Sequence, residues 1–266
     1  MTSTTSAEQS PEHAFYGVSA LLFAASTALT AIWCSSMSAM GSMTMPGGWT
    51  MSMTWMRMPG QTWPGAAASF LSMWIVMMMA MMLPALIPML HRYRRAVKRT
   101  GERRLGRLTV LVGAGYFSVW IVFGMAAFPV GVVLAALEMQ QTALARVVPL
   151  VAGGVVVMAG ALQFTAWKAH HLAYCCTEVE TCKRTLAANA RMAWRHGLRL
   201  GVHCSYCCAG LMAILLVVGL MNLRVMAALT AVIALERLAP ADARVARGIG
   251  AVVVAAGLLL VASAVR

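Results

Sequence analysis

Long apolar runs separated by short charged links set the pattern of this chain. The runs cover residues 14–33, 67–90, 108–137, 147–167, 200–220, 225–238 and 248–265. Most reach the ~20 residues that a helix needs to cross the ~30 Å hydrocarbon layer of a bilayer. In lipid every backbone amide must be paired inside the protein, so such runs predict helices rather than loops or open strands. The expected fold is an all-α membrane protein, a polytopic helical bundle of six to seven transmembrane helices. Pro84 and Pro88 are expected to kink the far end of the second run. Pro129-Val130-Gly131 is a candidate break in the third.

The links differ in kind. Residues 34–66, CSSMSAMGSMTMPGGWTMSMTWMRMPGQTWPGA, carry eight methionines, at positions 37, 40, 43, 45, 51, 53, 56 and 58, and one charge, Arg57. Their prolines and glycines oppose a continuous helix. Residues 91–107 read as a basic loop with eight Lys or Arg. Residues 163–210 hold six of the seven cysteines and four of the six histidines. Three parts follow: 1–66, a first span and a Met-rich extracytoplasmic segment; 67–240, a metal-binding membrane core; 241–266, a C-terminal span.

Composition excludes a soluble domain. The chain is 61% hydrophobic and 11% charged, where a soluble domain carries about 25% charged residues. A net charge of +13 does not indicate nucleic acid, because the basic residues sit in the links, where they orient membrane helices. Threading the runs alternately puts seventeen of the 21 Lys and Arg on one side. That bias places the N-terminus in the cytoplasm, the Met-rich segment outside, and the Cys/His stretch at the cytoplasmic face of the plasma (inner) membrane. No basic n-region precedes residue 14, so residues 14–33 are read as a span and not a cleaved signal.

The Cys/His stretch carries the chemistry. Cys204, Cys207 and Cys208 form C-x-x-C-C directly after His203, and residues three and four apart share a helical face. His171 and Cys175 have the same spacing, and Cys176 and Cys182 follow. Cysteine in membrane helices is often a small buried hydrophobe, but six clustered among histidines favour a metal site. Disulfides are disfavoured in the reducing cytoplasm. Thiolate, thioether and imidazole donors suit Cu(I), zinc or an iron–sulfur cluster, and C-x-x-C with a second Cys/His pair also suits structural zinc. Met73, Met77 and Met81 fall at i, i+4 and i+8. They form either a packing stripe or a ladder of soft donors leading from the Met-rich segment.

Gln163, Asn222 and Glu236 are polar groups in or near spans and functional candidates on that ground. Glu236 is alternatively the partner of Arg237 in an interfacial ion pair. Tyr116 and Trp120 read as packing or interfacial anchors. No phosphate loop, paired carboxylates, Ser/His/Asp arrangement or nucleotide fingerprint is present, so neither an enzyme nor an ATP-driven pump is expected.

The segments MWIVMMMAMMLPALIP, GYFSVW, QFTAWKAHHLAYCC, HGLRLGVHCSYCCAGLM and VGLMNLRVMAALTAVIALER resemble a multi-pass family of predicted metal-binding integral membrane proteins. Formerly a domain of unknown function, it includes the copper chaperone encoded beside a bacterial polyphenol oxidase. The likeness covers residues 72–240. Many members read Cys-Leu-x-x-Cys where this chain has His171-Leu172-Ala173-Tyr174-Cys175, a histidine in place of the first thiol. The resemblance implies His171, Cys175, Cys204, Cys207 and Cys208 as ligands and copper as the metal.

The leading expectation is a copper-handling protein of the lipid bilayer. It would collect Cu(I) at the Met-rich segment and deliver it to a copper enzyme or soluble copper chaperone, with homo-oligomerisation left open. The alternatives are a membrane redox protein, either iron–sulfur or a quinone-linked thiol oxidoreductase, and a scaffold stapled by structural zinc.

Overall fold

The apolar runs fold into helices that extend past their apolar cores. The computed structural model describes residues 4–39, 43–44, 49–51, 53–57, 60–98, 104–168, 170, 189–238 and 243–265. In chain order the helices are α1 (Thr4–Ala39), α2 (Trp63–Lys98), α3 (Leu105–Gln140), α4 (Thr142–Leu162), α5 (Ala190–Val218), α6 (Leu223–Leu238) and α7 (Ala243–Val265). Among the described residues, six helices, all of these but α6, are long and apolar enough to cross a membrane. The 16 residues of α6 rise about 24 Å, short of a ~30 Å hydrocarbon layer. The described residues therefore hold six candidate spans, and the run at 225–238 is a shorter helix.

Two local expectations change. Residues 91–98, read as loop, continue α2, because Arg and Lys are good helix formers and cations suit a helix C-terminus. Pro84 and Pro88 lie inside α2; each removes one bond, to the carbonyls of Ala80 and Pro84, and the helix runs on through both. Pro129 does not break α3, which is continuous to Gln140.

Packing is set by where small residues let backbones meet. α2 packs against α1, α3 and α6, α5 against α3 and α4, and α4 against α7. Gly197 and Gly201 on α5 are spaced as G-x-x-x-G, the arrangement that lets membrane helices approach closely. Gly197 faces the backbone of Val112, and a Cβ on Gly115 of α3 would lie 2.5 Å from the Trp194 carbonyl oxygen. Because 115 meets 194–198 and 116 meets 201, α3 and α5 run parallel. Gly153 and Gly160 of α4 meet Gly257 and Gly250 of α7, so that pair is antiparallel. The core gathers Trp74, Met77, Met78, Tyr116, Trp120, Cys204 and Leu215. Leu21, Val110, Val252 and Leu259 stand exposed on the outside. Apolar residues on both surfaces suit a bundle whose surroundings are themselves apolar.

The two ends of the bundle differ. At one end Arg94 of α2 lies over the Phe15 ring of α1 at 4.6 Å, and its Nη1 donates to Thr109 Oγ1 of α3 at 3.5 Å. At the other end Cys34 Sγ of α1 lies 3.7 Å from Met221 Sδ, between α5 and α6. The basic ends of α2, α3, α5 and α7 thus share one end. The described part of the Met-rich segment joins the other. Strands β1 (Met43–Thr44) and β2 (Thr50–Met51) pair antiparallel, with Met43 opposite Met51. Trp49 Nε1 donates to the Ala145 carbonyl at 2.8 Å, and the Trp55 ring packs on Phe70 at 5.2 Å. Trp49 and Trp55 thereby tie this segment to the helices.

The α5–α6 hairpin aligns its arms for the site. Gly219 has φ +119, a conformation open to glycine. Asn222 Oδ1 accepts from the amides of Arg224 and Val225 at 3.2 and 3.3 Å. It is the N-cap of α6, which accounts for a polar residue at this place.

Candidate metal centre

Cys204 lies deep within a helix rather than at its start. Asn189 caps α5, its side chain accepting from Arg191 N at 3.3 Å, and the helix begins ten residues before the apolar run. Cys204 is therefore fourteen residues, about 21 Å, from either end of α5. It remains about 7 Å past Arg199, the last charged residue before the apolar stretch. The Gly197–Gly201 crossing presses this face of α5 onto α3 and so brings Cys204 to Tyr116.

Cys204, Cys207 and Cys208 are all buried and, with Cys34, free of disulfides. Cys204 Sγ lies 3.9 Å from Cys208 Sγ. The Tyr116 hydroxyl donates to Cys204 Sγ at 3.0 Å. Two metal–sulfur bonds of about 2.3 Å span up to about 4.6 Å, so one soft cation fits between Cys204 and Cys208. Among the described residues no group of three or more His, Cys, Asp or Glu is gathered to hold a metal by itself. His171, Cys175, Cys176 and Cys182 lie outside the described residues.

A cluster of charges adjoins the thiols. After α4 the chain turns at Gln163–Phe164 and is helical again at 166–168, which includes Lys168. Lys168 Nζ donates to the Cys207 carbonyl at 2.7 Å and to Glu236 Oε2 at 2.8 Å. The two side chains are 5% and 2% exposed. Glu236 Oε1 has no hydrogen-bond partner among the described residues. Arg237 is also buried; its Nη1 lies 3.9 Å from Met89 Sδ, and Met89 belongs to the same core cluster as the three cysteines. Glu236 is thus no interfacial partner of Arg237. The hairpin returns it to the level of Cys207, where Lys168 of another segment meets it.

The remaining donors vary in placement. Met77 and Met81 are buried in the same core cluster as the cysteines, and Met73 packs against that cluster half-buried. Met78 and Met82 fill the adjacent stripe. His203 is half-buried. His196, two turns before Cys204 on the buried face, stacks on Tyr93 with ring centroids 5.3 Å apart. Sequence reasoning missed Tyr116, Lys168, Arg237 and Met89 as neighbours of the site. A signal existed for Tyr116, since a phenol in an apolar run needs a hydrogen-bond partner when buried.

Fold and site together define a polytopic helical bundle with soft sulfur donors and paired charges in its core. A family model described as "PpoB2: Copper chaperone" matches residues 71–260. The match spans well over half the chain, and the chain belongs to that copper-chaperone family. It takes in the cysteine trio, Lys168, Glu236 and Arg237, and begins after the Met-rich segment. No curated protein and no solved structure matches the chain.

Proposed function

We propose that this chain is an integral membrane copper chaperone that binds Cu(I) through the thiols of α5 and passes it to a copper enzyme or soluble copper carrier. The observation that carries the reading is the buried Cys204–Cys208 pair, 3.9 Å apart, in a chain of a copper-chaperone family. Thiolate and thioether donors select Cu(I) among common metals, and a buried thiol pair keeps water and oxidants away from it. His171 and Cys175 complete the donor set, with Cys176, Cys182 and His203 as auxiliary donors. The methionines of 34–66 collect the ion on the outer side, and Met73, Met77 and Met81 line the route inward. The basic end of the bundle faces the cytoplasm of the inner membrane, the N-terminus with it.

The test is anaerobic Cu(I) loading of the full chain in detergent, followed by metal analysis. Changing Cys204, Cys207 and Cys208 together to Ser is expected to remove at least one copper per chain. Unchanged stoichiometry would rule out this centre. A stably bound, non-exchanging zinc would instead favour the scaffold alternative.

A further inference from the structure

The copper reading gives no task to the most expensive feature of the core. Charged side chains inside a membrane-spanning bundle are costly and persist where they serve a site. Lys168, Glu236 and Arg237 are the charged residues buried among the described residues, two cations and one carboxylate. All three gather at the cysteines. Lys168 is fixed to the Cys207 carbonyl, Glu236 to Lys168, and Arg237, the next residue of α6, is buried with its Nη1 3.9 Å from the sulfur of Met89, in the core cluster that holds the three cysteines.

The charge of a loaded site explains the arrangement. A monovalent soft cation held by the Cys204–Cys208 pair releases two protons to water and leaves two thiolates and one positive ion, net charge −1; every further thiolate that joins adds one negative charge to this complex and to that of a divalent ion alike. A divalent soft cation on the same two thiolates leaves a neutral complex. In a low-dielectric interior that single negative charge is strongly felt by neighbouring cations.

We infer that Lys168, Glu236 and Arg237 form a counter-charge site that stabilises the anionic complex of a monovalent soft cation with the α5 thiolates and so sets the preference of the centre for monovalent over divalent ions. Arg237 and Lys168 supply the attraction. Glu236, whose second oxygen has no partner among the described residues, tempers it and holds Lys168 in place. The inference deepens the copper reading and rests on the same thiols, but concerns charge rather than copper.

The test uses Ag(I) and Hg(II), both thiol-seeking and of different charge, on the full chain in detergent with competing thiol ligands. Arg237→Met is expected to weaken Ag(I) binding about tenfold, the size of one close charge, and to leave Hg(II) within threefold. Arg237→Lys is expected to restore Ag(I) binding, and Glu236→Gln to tighten it. A structural role for Arg237 moves Ag(I) and Hg(II) together, and that result, or no change in either, overturns the inference. Should Arg237→Met not yield folded protein, Glu236→Gln decides alone: weaker or unchanged Ag(I) binding overturns it. Absence of copper in the wild type, with the Ag(I)/Hg(II) contrast intact, would sink the copper reading and leave the counter-charge site standing.

Discussion

The hydroxyl of Tyr116 donates to the sulfur of Cys204 at 3.0 Å, joining α3 to α5 at a point closed to solvent. With a protonated thiol this is an ordinary buried hydrogen bond, worth about 1 kcal/mol net. With a thiolate it becomes charge-assisted and about twice as strong. Tyr116→Phe is therefore expected to lower the thermal stability of the metal-free protein slightly and its Cu(I) affinity about fivefold, the extra ~1 kcal/mol of the charge-assisted bond. Thermal unfolding in detergent and titration against a chromophoric chelator separate the two effects.

Lys168 and Glu236 make a second link, between the segment that follows α4 and the end of α6. Glu236→Ala leaves an ammonium buried beside a single carbonyl, and breaking a buried pair this way costs about 3–5 kcal/mol. Replacing both partners by apolar residues of similar size is often neutral. Lys168→Met with Glu236→Leu is thus expected to recover most of the stability that Glu236→Ala loses. Denaturant unfolding of the single and double variants checks the ordering.

What was legible in the sequence divides along the range of the forces involved. The helices were legible, because apolar runs of span length leave the backbone no alternative in lipid. The asymmetry of charge between the two ends followed from counting Lys and Arg. C-x-x-C-C on one face of α5 followed from helical periodicity. Helix ends were less legible: residues 91–98 are polar, and polarity alone does not separate a solvated helix from a loop. Glu236 shows the larger gap. Its position near the end of an apolar run suggested an interface, and only the length of α6 and the hairpin at Gly219 place it beside Lys168, 68 residues earlier. Tyr116 and Cys204 are 88 residues apart, and no periodicity links them.

The α3–α5 crossing makes the site depend on residues that carry no donor atom. Gly197 faces the Val112 backbone with no room for a side chain. Gly113, one residue further along α3, is open: a Cβ there would have nothing within 4 Å. Gly197→Leu must therefore part the two helices, and Cys204, two turns along α5, must move with them away from Tyr116. The expected outcome is a loss of both thermal stability and copper retention with every cysteine still in place, and faster alkylation of the α5 thiols by a small maleimide. Gly113→Leu, on the open side of α3, is expected to leave all three close to wild type. Equal behaviour of the two variants would mean that the crossing does not position the centre, and the role of the G-x-x-x-G face would have to be given up.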